Sequence, residues 1–476
     1  MLIAVSENSF VSLKPMFLIH HWSKRFLTVL GRIVVVKSLL LPKLNHLILA
    51  LPHPDKEIVK EIDSMFYKFI WGGKVDRVSR NHTALPTTKR GTNMIQFEHF
   101  ARALKITWIR RLLKYDADNK ILNLFMAITP ISNFDFSSVI YWDKIINSCK
   151  NTFWKSVFSA WKDFVLVLNP NNREEVLRSS IWHNAKIKVG NKSVLYKTWY
   201  DHGILYINDL LTKEGEFISV DDMYRKYGVR TNFLRLLGLR KAIENSFSNM
   251  LGQSKNVLQL PFQSLHVKTV RLDTKGCKRF YNIFQSGNKV EYKCINKWNA
   301  LLASHISEVD WCKICFYNWK STHDVKLKWF QFRILNRILG TNSLLVKIGR
   351  SDDASCTFCG EVEESIIHLL WDCQVTQKIW KDLQNWIQFN LNTRTTLNKD
   401  LVIFGNYNFR DFALNNIILI CKFCIYKSKM RSERPSFTLC KNALRNFYLK
   451  ERFMYKTNCK QHDFDTRWHT WKSLFL

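Results

Sequence analysis

The stretch PHPDKEIVKEIDSMFYKFIWGG, residues 52–73, has the period of an amphipathic helix and the boundary signals of one. Asp55 follows Pro52 and Pro54 and is suited to an N-cap, where a carboxylate accepts from the free N–H groups of the first turn. Ile58, Ile62, Met65 and Phe69 then recur at spacings of 4, 3 and 4, one face of a 3.6-residue period, and Gly72-Gly73 stops the pattern. The same spacing upstream, at Trp22, Phe26, Val29 and Ile33, predicts another helix. Its neighbouring face carries Arg25 and Arg32, with Lys24 and Lys37 close by. A third is expected from Phe97 to Lys114, with Leu104, Trp108 and Leu112 inside and Arg102, Lys105, Arg110 and Arg111 outside. Further on, Trp329, Phe330, Ile334, Leu335 and Ile338 form an apolar face, and Arg333 and Arg337, four apart, are expected to project together from the other. With only 16 Gly and 9 Pro in 476 residues, the chain reads as mainly α.

The working division is a short N-terminal segment (1–20), a thumb-like helical region (21–115), a connecting or spacer region (116–310) and a helical C-terminal segment (311–476). The connecting region is less regular and carries turn markers such as Asn169-Pro170-Asn171-Asn172 and Val189-Gly190-Asn191. Hydrophobic residues at 46% and 17 Trp exclude a disordered chain. A formal charge of +33 points to a polyanionic partner, RNA or single-stranded nucleic acid first and DNA next. No membrane role is expected: the apolar runs around Val34 and Leu40 are short and broken by Lys37 and Pro42. The first ten residues have no signal-peptide pattern, so the location expected is intracellular, nucleus or cytoplasm. The 12 Cys then read as thiols or metal ligands.

Among them, Cys356-Thr-Phe-Cys359, His368 and Cys373 have the spacing C-x2-C-x8-H-x4-C. Three thiolates and one imidazole make the soft-to-borderline donor set of a structural zinc, about one ion per chain, with no position left for substrate. Gly360 supplies the permissive backbone such a turn needs. Cys312/Cys315 and Cys421/Cys424 share the two-residue gap but lie in apolar surroundings without a nearby His, so they read as core. No catalytic constellation emerges. Asp116/Asp118 has the look of a helix exit and Asp352-Asp353 of a loop. The sequence has no phosphate-binding glycine loop, no G-x-S-x-G and no H-E-x-x-H.

Several ordered motifs together resemble LINE-type (non-LTR) retrotransposon reverse transcriptases. The run from Trp22 through Gly31, Arg32 and Lys37 to Pro42-Lys43 is similar to the segment after the palm. Phe66 to Lys74, with Arg77 and Arg80, and Ala103 to Arg111 are similar to the family's next segments. Ile181-Trp182, Gly203 to Asp209, and Gln331 to Asn342 leading into the Cys-Cys-His-Cys group keep the family's order. The resemblance implies a catalytically incomplete C-terminal part, not an enzyme on its own, lacking both palm carboxylates and endonuclease. It would grip nucleic acid through Lys24, Arg25, Arg32, Lys37, Lys74, Arg77, Arg110, Arg111, Arg333 and Arg337, with zinc on Cys356, Cys359, His368 and Cys373. Thr88 to Gly91 matches the family's glycine turn only partly. The competing expectations are an interaction module docking onto a separate, palm-bearing reverse transcriptase, and a decayed element without a selected role.

Overall fold

The computed structural model describes residues 15–89, 91–113, 142–251, 258, 264–274, 276–286, 293–302, 305–393, 395–407 and 411–475. The Asp116/Asp118 pair and most of the 1–20 segment lie outside them. The fold is mainly α, as the patterning and the low glycine and proline content imply. The described strands are a two-residue pair, Lys188–Val189 against Lys192–Ser193. Gly190 and Asn191 between them have φ of 59° and 64°, the left-handed pair that a tight hairpin requires.

The chain forms two compact units. The first comprises Leu41–Asp63 and Ile95–Lys289. Within it, Phe97–Leu113, Thr152–Val167 and Lys278–Ser286 enclose one aromatic core around Trp161, Phe164 and Phe280. A second core in the same unit gathers Trp182, Trp199, Leu210 and Leu239. The second unit comprises Pro15–Leu40, Ser64–Met94 and Val290–Leu476. At its centre the helix Phe412–Met430 is buried along most of its length, in a core shared with Trp298, Trp311, Trp380 and Trp468. Two of these rings show how the polar edge is satisfied. Trp298 Nε1 donates to Leu335 O at 3.0 Å and Trp380 Nε1 to Leu370 O at 2.8 Å.

The helix expected from residues 52–73 runs Lys56–Trp71, and Asp55 Oδ1 accepts from Glu57 N and Ile58 N at 3.0 and 2.8 Å. Its buried apolar positions are Val59, Ile62, Phe66, Tyr67, Phe69, Ile70 and Trp71, so the inner face takes in Phe66 and Ile70 and leaves out the expected Ile58 and Met65. Trp22 and Ile33 do not share a helix. Pro15–Ser23 ends before Lys24, Phe26 is fully exposed, and a new helix starts at Val29 with Thr28 accepting from Gly31 N at 3.1 Å. A threonine N-cap overrides the apolar period there.

Lys105 is not on an outer face: it is fully buried, donates to Leu51 O and lies 4.3 Å from the centre of the Phe153 ring. Burial pushes its pKa down to about 7.

The apolar runs around Lys37 and Pro42 are not separate. Val29–Ala50 is 22 residues of continuous helix whose most apolar 18-residue window has mean hydropathy 1.6, long and apolar enough to cross a membrane. A π turn at Val36–Leu40 opens the helix just ahead of Pro42, whose ring would otherwise meet the carbonyl four residues back. Within its most apolar window, 39% is buried inside the fold, among them Val36, Leu40, Leu44 and Ile48.

Candidate metal centre

Cys356 to Cys373 closes into a compact knuckle. Cys356 N donates to Val362 O at 2.8 Å, and Ser355 and Glu363 form a bridge. Gly360, at φ 75°, turns the chain so that its N–H reaches Cys356 O at 2.8 Å. The second half carries a specific distortion. Five residues at 3.6 per turn would leave His368 and Cys373 about 140° apart on an α-helix. Residues His368–Asp372 instead form a π turn, and Cys373 N donates to His368 O at 2.9 Å. That wider turn swings both ligands to one side.

One ligand atom from each of Cys356, Cys359, His368 and Cys373 lies within 4.8 Å of all the others. Cys356 Sγ and Cys373 Sγ are 3.9 Å apart, and Cys359 Sγ and His368 Nε2 are 3.4 Å apart. A tetrahedral zinc with sulfur at about 2.3 Å and nitrogen at about 2.0 Å has edges of about 3.5–3.8 Å. The donor set and its spacing fit one structural zinc. The two cysteines of the turn differ. The Glu361 backbone N–H, then the His368 ring, hold the Cys359 thiol down to about 7. Burial, then the neighbouring Cys373, pushes Cys356 up to about 12. A bound divalent ion supplies the charge that would keep all three as thiolates.

A buried polar plug, which the sequence reading misses, pins the knuckle to the central helix of its unit. Glu364 is fully buried. It accepts from Thr357 N at 3.0 Å, Thr357 Oγ1 at 2.7 Å and Asn342 N at 2.9 Å, and pairs with Lys429 Nζ at 3.1 Å. Lys429 also donates to Asn342 Oδ1 at 2.8 Å, and Asn342 Nδ2 to Ser355 O at 2.7 Å. The only signal in the sequence is an acidic residue beside the ligands, indistinguishable there from Glu361 and Glu363.

Cys315 and Cys421 are buried, and Cys440 lies against Cys421 and Cys424 in the apolar core. Asp353 caps its own loop, accepting from Ser355 N at 2.8 Å and Ser355 Oγ at 2.7 Å.

The ten basic residues are not equivalent. Lys24, Arg25, Lys74, Arg77 and Arg111 are exposed, with Arg25 4.4 Å from the Trp22 ring centre and Arg111 4.4 Å from that of Trp108. The others are half-buried and engaged by the fold itself. Arg32 donates to Phe69 O at 2.8 Å, Lys37 to Asn93 O at 3.1 Å, and Arg110 to Gly276 O at 2.8 Å. Arg333 and Arg337 do not project together. The helix Val325–Leu335 ends before Arg337, which takes φ 57°. Arg333 packs 5.2 Å from the Tyr426 ring centre and Arg337 5.6 Å from that of Trp298.

A basic face the sequence reading passes over lies on the helix Phe437–Thr457. Lys441, Arg445, Arg452 and Lys456 are exposed along it, Lys450 is exposed on the opposite side, and the helix's single carboxylate, Glu451, is buried and hydrogen-bonded to Trp468 Nε1 at 2.7 Å.

Residues 292–380 match the family described as zinc-binding in reverse transcriptase. The matched span contains all four ligands, and it supports a reverse-transcriptase-related protein.

Proposed function

We propose that the chain is a post-palm, C-terminal part of a LINE-type reverse transcriptase that grips RNA or single-stranded nucleic acid, its knuckle holding shape while basic helices hold phosphates. The observation that carries this is the Phe437–Thr457 helix. It presents four cations along one face and no exposed carboxylate, in the same unit as the four zinc ligands. Lys24, Arg25, Lys74 and Arg77 add exposed positive charge to that unit. The family match at 292–380 and the ordered motifs from Trp22 to Asn342 support the reverse-transcriptase origin. The role is binding and not polymerisation: the sequence contains no Phe/Tyr-Ala-Asp-Asp run to hold a pair of catalytic ions. A palm-bearing reverse transcriptase is the protein partner such a module would serve.

The test is single-stranded RNA binding across a salt series. Log K should fall by about 0.7 per neutralised phosphate per log unit of salt. Replacing Lys441, Arg445, Arg452 and Lys456 together by Glu should weaken binding and flatten that slope. Affinity indifferent to salt, or unchanged by those four replacements, would overturn the reading.

A further inference from the structure

We propose that the corner joining the helices Val220–Tyr227 and Phe233–Leu251, in the first unit, is a second surface for single-stranded nucleic acid, with Tyr224 and Phe233 stacking on bases and Arg230 and Arg235 holding phosphates. From Met223 to Ile243 the chain carries six cations and no carboxylate. Three of the six are engaged. Arg225 pairs with Asp222 at 3.3 Å, Arg240 with Glu244 at 2.8 Å, and Lys226 donates to Asp209 O at 3.4 Å. Arg230, Arg235 and Lys241 are exposed, and among the described residues none of the three side chains has an ion pair or hydrogen bond. Beside them stand large apolar side chains that the fold leaves in water. Phe233 is 65% exposed, Leu234 75% and Tyr224 52%, and Phe233-Leu234 is the one adjacent pair of large exposed apolar residues among the described residues. Single exposed apolar residues are ordinary, whereas a cluster set among cations marks a binding surface.

The corner is built to present them. Gly228, at φ 69°, ends the first helix with its N–H on Tyr224 O at 2.8 Å, and the buried Val229 anchors the turn. Asn232 Oδ1 accepts from Arg235 N at 2.8 Å and starts the second helix. Phe233 and Leu234 therefore occupy its first turn, while Leu236, Leu239 and Ile243 are buried in the core. Arg230 lies 5.7 Å from the centre of the Tyr224 ring and Arg235 5.0 Å from that of Tyr196, so cation and ring stand side by side. A partner must offer negative charge and flat apolar surface together. A single strand does, with phosphates along its backbone and bases free to stack, whereas a duplex keeps its base faces inside. An anionic membrane fits less well. Interfacial helices lay a continuous apolar stripe into the bilayer, and here the outer side beyond Leu234 continues as Arg235, Arg240 and Lys241.

The inference shares only its class of partner with the reading above, and its test is read at the corner alone. The full chain is titrated with an oligothymidine of about 12 nucleotides, within the usual footprint of such surfaces, and with an abasic strand of the same length. Phe233→Ala with Leu234→Ala removes exposed groups and leaves the core intact. It should weaken oligothymidine at least about fivefold, the lower bound for one lost base stack, with the salt slope unchanged and the abasic strand bound as before. Arg230→Gln with Arg235→Gln should weaken both strands and flatten the slope by about 1.4, two phosphates at about 0.7 each. A strand carrying a photoreactive iodouracil should cross-link to Tyr224 or Phe233. Failure of the Phe437–Thr457 replacements to change binding would leave each of these readouts standing. Unchanged oligothymidine affinity in the paired Ala variant, equal loss on both strands, or cross-links confined to the helix Phe437–Thr457 would overturn the proposal. So would phosphatidylserine vesicles whose binding the paired Ala variant abolishes while it holds oligothymidine like the parent chain.

Discussion

The knuckle at 356–373 and the aromatic core around Trp161 are held by different forces. The Trp161 core encloses Trp142, Trp154, Phe158, Phe164 and Phe280, and its stability comes from apolar area removed from water. The knuckle is a loop of mixed exposure closed by backbone turns, four metal-ligating side chains and one buried ion pair. Area-driven cores lose stability in increments as side chains are trimmed. A metal-driven knuckle is expected to lose its order at one step.

The largest effect expected is therefore on the knuckle alone. Structural zinc in finger peptides is worth roughly 10–16 kcal/mol of apparent binding energy at neutral pH. Chelation, Cys373→Ser or His368→Ala should expose residues from about Ile348 to Trp380 to protease, and leave the Trp161 core protected. Equal loss in both regions would erase the contrast. Next in size is Glu364→Ala, which strands Lys429 in the interior. Removing one partner of a buried pair costs about 3–5 kcal/mol. The loss should appear in chemical unfolding of the zinc-loaded chain and be absent from fragments reporting on Trp161.

A third expectation concerns Lys422, fully buried in the second unit, where it donates to Gln331 Oε1 at 2.8 Å. Burial holds its pKa near 7 against an ordinary 10.5. Between those values the unfolded chain binds a proton that the folded one does not, so this residue makes stability rise with pH. Below about 7 its penalty is at full size and constant. The rise is at most about 1.4 kcal/mol per pH unit. Lys422→Met should remove that slope between pH 7 and 10 in urea titrations, whatever its offset from losing Gln331's partner. The smallest effect expected is Arg32→Ala. It removes a cation from a last-turn carbonyl of the Lys56–Trp71 helix and should cost about 1 kcal/mol, with little change in RNA affinity. A large affinity loss would return Arg32 to the nucleic-acid surface.

The ligands were legible because metal geometry constrains residue type and spacing together, and four such residues seldom recur in order. The π turn that brings His368 and Cys373 to one side was not legible, because nothing in Leu369-Leu370-Trp371 distinguishes it from an α turn. Helix boundaries were readable where caps and period agreed, as at Asp55 and Gly72. They were misread at Trp22–Ile33, where apolar spacing continued across a helix break set by Thr28. Charge was the least legible. Sequence counts every cation alike, whereas Arg32, Arg110 and Arg333 are absorbed by carbonyls and rings, Lys105 and Lys422 are interior, and the cations of Phe437–Thr457 stand outside.

The most direct test is zinc content together with hydrogen exchange, measured on the full chain before and after chelation. The expected result is about one zinc per chain, with chelation raising exchange at residues 355–373 and leaving the helix Thr152–Val167 unchanged. A metal-free chain with the same protection at 355–373, or exchange there that ignores chelation, would contradict a zinc-built knuckle.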